Sequence, residues 1–432
     1  MPRNASLISH YFELAFRSFR RNSVLTILIV IAIGLGVGAS MTMITVIHVM
    51  SGDPIPGRSS KLFYPHLEPS TPDFVKYHPG ENFTWPDATN LVEAHQAVRQ
   101  AMMAPGRLAV SPLGGRRPFF RAGHYVSSEF FPMFGTPFAA GEGWGAQDDK
   151  DAALVVVLNG ELARELYGSA SASIGQVLML QNRDFRVVGV LNDWHPEPVF
   201  YGGASGDWAF KSEDQFFVPL NTAMSLKLPI GGGESCWGRA SRTGDGCSWL
   251  QLWVELDTPK QVEAYHQFLM NYWHDQRAHG RFPVNIPPKL YGMMQRLRVL
   301  RLVPSNVSLQ LWLALGFLCV CLFNVVSLML AKFLRRSDEV SIRRAMGASN
   351  RDIFLQLGIE AAGLGLLGGG LSLLMTMSGL WLIHQRPDAY AKLVQLDYPM
   401  VMLTLVLAVT SSVFAGILPA WRACRIPPAL QL

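Results

Sequence analysis

Charged residues are scarce in this sequence, and several catalytic signatures are absent from it. Aspartate, glutamate, lysine and arginine make up 16% of the 432 residues, against about 25% in ordinary soluble domains. No lysine directly follows a glycine, which excludes the G-x-x-x-x-G-K-[ST] phosphate loop. The patterns H-E-x-x-H and G-x-S-x-G are missing as well. We therefore predict that the chain is not an enzyme by itself.

Metal-ligand spacing is also lacking. Among the histidines between residues 51 and 304, only His266 and His274 share one helix-like pattern, and their spacing of eight differs from the four of a metal-binding pair. The five cysteines form no C-x-x-C pair. The formal net charge of +5 is modest. We predict no metal, no cofactor in this chain and no nucleic-acid partner.

Long apolar runs are what the sequence has in abundance. Four of them reach the ~20 residues that a bilayer-spanning helix needs, and they predict transmembrane helices at residues 24–50, 305–331, 354–384 and 398–418. The first run, of 26 residues from Val24 to Val49, exceeds a signal-peptide core of 7–15 residues, so we predict that it is retained as an anchor. It would measure about 39 Å as a helix, longer than a ~30 Å hydrocarbon core, so its end is predicted to extend as a stalk.

Basic residues predict the orientation of these helices. They cluster before the first run, between the second and third runs, and after the fourth, which fits cytoplasmic segments at 1–23, 332–353 and 419–432. Both termini are then cytoplasmic, and the short loop 385–397 lies outside. In the N-terminal segment, one face of an amphipathic helix is formed by Ile8, Tyr11, Phe12, Ala15 and Phe19.

The segment 51–304 lies outside in this topology and is long enough for a domain with its own core. Its patterns are mixed: "AALVVVL" (152–158) and "WLQLWVEL" (249–256) predict strands, residues 159–168 and 259–277 predict helices, and residues 175–191 predict a hairpin turning at Gln181–Asp184. We predict two subdomains, the inner one at about 125–220. The fold class is an α-helical membrane protein with four transmembrane helices and a large mixed α+β extracytoplasmic domain between helices 1 and 2.

Two cysteines of the outer segment, Cys236 and Cys247, flank a loop rich in glycine and serine. An extracytoplasmic compartment is oxidising, and ligand spacing for a metal is absent near them. We expect a disulfide between them.

Small and ionisable residues stand out inside the apolar runs. Gly34 with Gly38, and Gly365 with Gly369, form two G-x-x-x-G pairs, which allow close helix packing within the bundle or in a dimer. Glu360 is the ionisable residue of the third run. Such a residue is a functional candidate, but its place near the inner end of the helix also allows it to reach the interface.

The densest charge lies between the second and third runs, in "RRSDEVSIRRAMGASNRDIF" (335–354). Ser337, Asp338 and Glu339 fit the start of a short helix, Gly347 can stop it, and Ser349 or Asn350 can cap the next helix. A short amphipathic helix of this kind is a docking element for a partner. The predicted coupling residues are Glu339, Val340, Ile342, Arg343, Arg344, Ala345, Met346, Gly347 and Ala348.

This stretch resembles the cytoplasmic loop and third membrane helix of the FtsX/MacB family of ABC transporter permeases, whose usual form is R-R-x-E-I-G-[IL]-R-[RK]-A-[LM]-G-A. Asp338 and Ser341 depart from that pattern, and Glu339 keeps the carboxylate. "RSFRRNSVLTILIVIAIGLGVGASM" and "GILPAWRACRIPPALQL" resemble the two ends of such permeases, and the segment from "FFPMFGTPFAAGEGW" to "FRVVGVLND" resembles the MacB-type periplasmic core domain.

The resemblance implies a multi-pass permease of the bacterial inner membrane with no fused ATPase. Separate ABC ATPase subunits would bind ATP and Mg and dock on residues 338–348. A second permease, identical or related, would complete a dimer whose ATP-driven motion reaches the periplasmic domain. An adaptor and an outer-membrane channel are further implied partners.

Several functions fit this layout. The leading expectation is efflux of a peptide, antibiotic or other periplasmic substrate. The alternatives are a lipoprotein-releasing permease and a regulator of a periplasmic partner such as a cell-wall hydrolase. A membrane enzyme is disfavoured because a catalytic constellation is missing from the sequence.

Overall fold

The computed structural model describes residues 23–425, apart from residues 77–81, 113–116, 193, 203–208, 211–213, 238–240, 301, 304, 336–341, 343–345, 347–348, 386–390 and 392–393. The predicted N-terminal amphipathic helix lies outside the described residues. The described residues fall into two compact units, which lie within Met1–Met50 together with Val303–Leu432 and within Ser51–Leu302.

The described residues form helices throughout and strands between residues 62 and 292. The helices are α1 (Ser23–Met50), α2 (Pro72–Val75), α3 (Trp85–Glu93), α4 (Phe130–Phe134), α5 (Ala146–Lys150), α6 (Gly160–Tyr167), α7 (Ala170–Ser173), α8 (Leu220–Ser225), α9 (Pro259–Ala278), α10 (Met293–Val299), α11 (Ser305–Leu334), α12 (Asn350–His384) and α13 (Tyr398–Arg425). The strands are β1 (Leu62–His66), β2 (Phe83–Thr84), β3 (Arg99–Ser111), β4 (Phe119–Val126), β5 (Phe138–Gly141), β6 (Val155–Leu158), β7 (Val177–Leu180), β8 (Arg183–Leu191), β9 (Phe216–Pro219), β10 (Ser235–Cys236), β11 (Cys247–Glu255) and β12 (Lys289–Gly292).

Four helices, α1, α11, α12 and α13, are long and apolar enough to cross a membrane. They contain 28, 30, 35 and 28 residues. Three of them extend beyond their predicted bounds: α11 continues to Leu334, α12 begins at Asn350 and α13 continues to Arg425. Hydropathy marks only the stretch that can lie in hydrocarbon, whereas helical hydrogen bonding continues into flanking polar residues with good helix propensity.

The core of the helical unit follows the helical period. Buried Ile29, Ile33 and Val37 recur every four residues along α1, the most deeply buried of the four helices. Val325, Met329 and Phe333 form the matching stripe on α11. Because lipid removes the hydrophobic drive between helices, close packing of such stripes holds the bundle together.

The outer unit is built on one mixed twelve-stranded sheet. Its strand order is β12-β1-β11-β3-β4-β9-β6-β8-β5, with β2 and β10 paired to β11 and β7 paired to β3 and β8. The β4–β9 and β6–β8 pairs are parallel. In this order, the strands that lie largely within the predicted inner subdomain of residues 125–220 come after β3; they are β4, β9, β6, β8 and β5. The strands β12, β1 and β11 come from the flanking residues and stand before β3. The sheet and the hydrophobic core nonetheless continue across this boundary, which therefore does not divide the unit into separate cores.

Several predicted elements of the outer unit are present in the structure. The strand predicted at 249–256 is β11, in which all nine residues are buried, so both faces of this strand are covered. Asn159 caps α6, its Oδ1 accepting from the Leu162 amide at 2.8 Å. The predicted hairpin turn contains Gln181 and Asn182, both with positive φ.

Beside β11, the structure joins Cys236 and Cys247 by a disulfide between the paired strands β10 and β11. Cys247 is fully buried. The crosslink holds the glycine- and serine-rich loop at the edge of the sheet.

Candidate coupling site

The segment between α11 and α12 carries two described apolar side chains in contact with solvent. Ile342 is 60% exposed and Met346 is 75% exposed. The Met346 amide donates to the Ile342 carbonyl at 3.0 Å, so the two residues belong to one helical turn and are spaced to share a face. The other predicted coupling residues lie outside the described residues: Glu339, Val340, Arg343, Arg344, Ala345, Gly347 and Ala348.

A capping box marks where the segment ends and α12 begins. The Ser349 hydroxyl oxygen accepts from the Asp352 amide at 3.2 Å, and the Ser349 amide donates to the Asp352 carboxylate at 3.2 Å. Of the two residues that the sequence offered as caps, the structure uses Ser349. The N-cap of α12 therefore lies three residues after Met346, and the helix begins at Asn350.

A buried ion pair and a hydrogen bond from the same lysine join three membrane helices. Lys332 Nζ of α11 lies 2.8 Å from Glu360 Oε1 of α12, and the two side chains are 0% and 2% exposed. Lys332 Nζ also donates to the Thr26 hydroxyl of α1 at 3.3 Å. Each side chain that takes part comes from a different helix.

These positions add a contact that the sequence did not predict. Lys332 was assigned to the loop 332–353, and Glu360 was left open between a functional role and a place at the membrane interface. The structure buries both inside the bundle because α11 continues to Leu334 and turns Lys332 toward α12. A signal was present: Lys332 continues the buried stripe of Val325 and Met329 at helical spacing.

The two glycine pairs pack within this chain. A Cβ added at Gly34 would lie 2.7 Å from the Leu371 side chain, and one at Gly38 would lie 2.6 Å from Met375 Cβ, so this pair faces α12. Gly369 faces Leu405 of α13 in the same way. The structure thus places the predicted packing residues inside the bundle, where small residues let backbones approach closely.

Gly365 gives a direct test of that packing. A Cβ there would lie 2.8 Å from Val409 Cα and 2.9 Å from Ser412 Cβ, whereas one at Gly370 meets nothing within 4 Å. We expect Gly365→Ala to destabilise the chain by about 1–3 kcal/mol through overpacking. The same change at Gly370 should be neutral or stabilising by up to ~1 kcal/mol. Thermal unfolding in detergent measures both, and equal shifts for the two variants would contradict the packing.

In the outer unit, an open cleft of about 610 Å³ is lined by Arg58, Arg99, Ser128, Glu129, Phe131, Pro132, Gly135, Thr136, Phe138, Glu142, Gly143, Trp144, Gly145 and Ala146. Arg58 donates to the carbonyls of Pro132 and Met133 at 2.8 and 2.9 Å. Arg99 pairs with Glu255 at 2.9 Å. Both guanidinium groups that line the cleft are therefore already engaged by other groups of the outer unit.

His66 in β1 gives the outer unit a pH-dependent element. Burial, together with the nearby cations Arg296 and Lys289, lowers its pKa to about 4. An unfolded histidine titrates near 6.5. Folding therefore stabilises the neutral ring, a contribution that is complete above pH 6.5 and is lost as the pH falls from about 6.5 to about 4.

We expect His66→Gln to flatten the acid side of the stability profile. By pH 4 the unmodified chain should lose about 3 kcal/mol that the variant does not lose. Tryptophan fluorescence during urea unfolding at several pH values measures this difference. His279→Gln, at an exposed ring, is the control and should keep the pH dependence of the unmodified chain. An unchanged profile in His66→Gln would refute the assignment.

One group of described residues has metal-ligand character, namely Glu234, Cys236 and Cys247. The two cysteines are bonded to each other, so their sulfur atoms are not thiolate ligands. The described residues thus provide a structural crosslink at this point.

Two family models match the chain. The model of the MacB-like periplasmic core domain matches residues 26–269, and that of the FtsX-like permease C-terminal domain matches residues 312–428. The first model covers α1 and most of the outer unit, and the second covers the other three membrane helices. The four apolar helices and the MacB-like periplasmic domain fit a multi-pass inner-membrane protein.

Curated relatives are export proteins. The chain is 25% identical over 333 residues to a pyoverdine export ATP-binding/permease protein of Pseudomonas syringae pv. tomato, covering 75% of this chain and 45% of the relative. It is 26% identical over 308 residues to a macrolide export ATP-binding/permease protein of Salmonella typhi, covering 70% and 42%. The chain thus spans about half the length of the curated relatives it matches.

Solved structures of outer domains are also similar. The periplasmic region of MacB from Actinobacillus actinomycetemcomitans matches with a TM-score of 0.37 and 14% identity, covering 55% of this chain and 92% of that one. The extracellular domain of the noncanonic ABC-type transporter YknZ from Gram-positive bacteria matches with a TM-score of 0.35 and 13% identity, covering 53% and 99%.

Proposed function

Because this chain belongs to the permease family that combines a MacB-like periplasmic core domain with an FtsX-like C-terminal domain, we propose that it couples a separate ABC ATPase to motion of its outer domain. ATP and Mg are bound by the ATPase in this proposal. The permease contributes the docking surface and the helices that carry the motion. Both termini and the segment between α11 and α12 face the cytoplasm, as the basic clusters favour.

The observation that carries the proposal is the exposed turn of Ile342 and Met346. Two large apolar side chains exposed on one helical turn fit a groove on a protein partner. They lie in the charged segment that joins two membrane helices. An ATPase at this place would push on the ends of α11 and α12 directly.

The proposed cargo is a periplasmic substrate of peptide or antibiotic kind, moved by efflux. The names of the curated relatives, which export pyoverdine and macrolides, support this class. A second permease, identical or related, completes the transporter, and an adaptor with an outer-membrane channel receives the substrate. Release of lipoproteins is the alternative that shares the four-helix layout.

The test is affinity purification of the tagged chain from native membranes in mild detergent. We expect an ABC ATPase to co-purify with the unmodified chain and to fall at least about tenfold with Ile342→Asp plus Met346→Asp, because two buried charges would oppose docking. The charge-reversed pair Glu339→Lys and Arg343→Glu should have the same effect. Co-purification of an adaptor would favour efflux over lipoprotein release.

Phe120→Asp is the matched control, since Phe120 is also 61% exposed but lies in the outer unit. It should retain the ATPase. If no ATPase is recovered with the unmodified chain even after crosslinking, the proposed function is wrong. If the ATPase is recovered equally from all variants, the docking surface is wrong.

A further inference from the structure

The buried pair of Lys332 and Glu360 lies near the ends of α11 and α12 that flank the proposed docking segment. Lys332 lies two residues before the end of α11 at Leu334, next to the proposed docking segment. Glu360 lies ten residues after the start of α12 at Asn350. Thr26, which accepts from Lys332, lies in the first turn of α1. The three residues thus connect both helices that flank the segment to the helix that leads into the outer unit.

We propose that Lys332, Glu360 and Thr26 form a joint that fixes the register of α1, α11 and α12, so that these helices move as one body. The proposal rests on the proposed function for the source of the motion, but the joint itself is a property of this chain. A push on the segment would then reach α1 instead of being absorbed as sliding between helices.

The physical reason is the different resistance of polar and apolar contacts to sliding. Apolar side chains can exchange neighbours along a helix face at little cost, which is how packed helices shear past one another. Two opposite charges inside a medium of low dielectric constant attract strongly, and moving them apart costs this attraction while both stay desolvated. A 2.8 Å contact between buried groups therefore resists sliding of α11 and α12 past each other in either direction.

Directional hydrogen bonding adds to this resistance. The Lys332 ammonium has three donors, and one of them reaches the Thr26 hydroxyl while the Glu360 carboxylate accepts from the same nitrogen. Sliding α1 by one turn would move the hydroxyl by about 5.4 Å, beyond hydrogen-bonding range. The joint thus includes α1, although α1 contributes no charge to it.

A purely structural role is the competing explanation. Well-packed apolar residues of similar volume often replace a buried ion pair without loss of stability. The double variant Lys332→Met plus Glu360→Leu therefore separates the two roles. It keeps the packing and removes the contacts that fix the register. A joint would be lost in this variant, whereas a packing element would not.

The measurement is the distance distribution between spin labels at Leu28 of α1 and Leu355 of α12, which are exposed positions near the starts of the two helices. The full chain is used, with its free cysteines replaced. In the chain alone we expect a narrow distribution that broadens at least about twofold in the double variant, at an unchanged or higher unfolding temperature. The swapped pair Lys332→Glu plus Glu360→Lys should recover at least half of that change.

Ser412→Ala is the matched control. The Ser412 hydroxyl donates to the Ala361 carbonyl at 2.6 Å and so links α12 to α13, one residue from Glu360 but away from α1. This variant should keep the narrow distribution. A distribution as narrow in the double variant as in the unmodified chain would overturn the joint.

A second arm adds the co-purified ATPase and a non-hydrolysable ATP analogue. The α1–α12 distance should stay constant with nucleotide in the unmodified chain and shift by several ångström in the double variant. If the unmodified chain recovers no ATPase, the proposed function fails, and the first arm still decides whether the joint exists. If the distance shifts with nucleotide in the unmodified chain, the three helices do not move as one body and the proposal is wrong.

Discussion

Replacing Phe130 by alanine is expected to destabilise the outer unit by about 3–5 kcal/mol. The ring is fully buried in α4 and lies at the centre of a cluster of aromatic side chains. Its centroid lies 4.9 Å from that of Phe134, 5.3 Å from that of Tyr201 and 5.4 Å from that of Phe217. Alanine would leave a cavity lined by large planar rings that cannot collapse to fill it, which places the cost in the upper range for buried side chains.

Phe120→Ala makes the identical chemical change at a 61% exposed position and is the control. It removes one exposed contact with the Arg107 guanidinium, 5.6 Å from the ring centroid, and should cost at most about 1 kcal/mol. Urea unfolding followed by near-ultraviolet circular dichroism reports the aromatic cluster directly. Similar losses for both variants would show that the cluster does not support the unit.

The aromatic cluster also joins the two parts of the sheet. Phe130 and Phe134 of α4 contact Phe217 of β9 and Trp253 of β11, and these strands lie on opposite sides of the β3–β4 boundary. Close-packed interiors have low compressibility and transmit strain. The two parts of the sheet are therefore expected to deform together as one stiff layer.

The periodic parts of the outer unit could be predicted from the sequence, and β3 shows why others could not. The strand contains Pro105 and Gly106, two residues that argue against a central strand. In the structure Gly106 lies against the Tyr125 ring, where a Cβ would come within 2.5 Å of the ring. The Tyr125 hydroxyl in turn donates to the Pro229 carbonyl at 2.8 Å. The glycine is thus required by a neighbour 19 residues away, which no local pattern contains.

In the helical unit, too, local features could be predicted from the sequence, whereas contacts between helices could not. Hydropathy predicted all four helices, since the length of an apolar run is a local property. The glycine pairs predicted close packing but not the partner, which depends on how α12 and α13 approach. The Lys332–Glu360 pair was missed because a charge at the end of an apolar run is ordinarily read as the start of a loop. Its compensation comes from a residue 28 positions later, on another helix.

Replacing Glu360 alone by leucine is expected to destabilise the helical unit by about 3–5 kcal/mol. The change removes the carboxylate 2.8 Å from Lys332 Nζ and leaves a fully buried ammonium without that counter-charge. Lys332→Met alone should cost about as much for the converse reason. The double variant should lie within about 1 kcal/mol of the unmodified chain, because apolar packing often replaces a buried pair without loss.

These values define a double-mutant cycle, which isolates the interaction between the two side chains from the effect of each. The free energy of unfolding is measured for all four chains in the same detergent. Destabilisation by both single variants and near-recovery in the double variant would correspond to a coupling of several kcal/mol. Additive losses would mean that the two groups are stabilised independently, and the ion pair would then contribute little to the bundle. A strong coupling would show that the contact between Lys332 of α11 and Glu360 of α12 stabilises the packing of these two helices against each other.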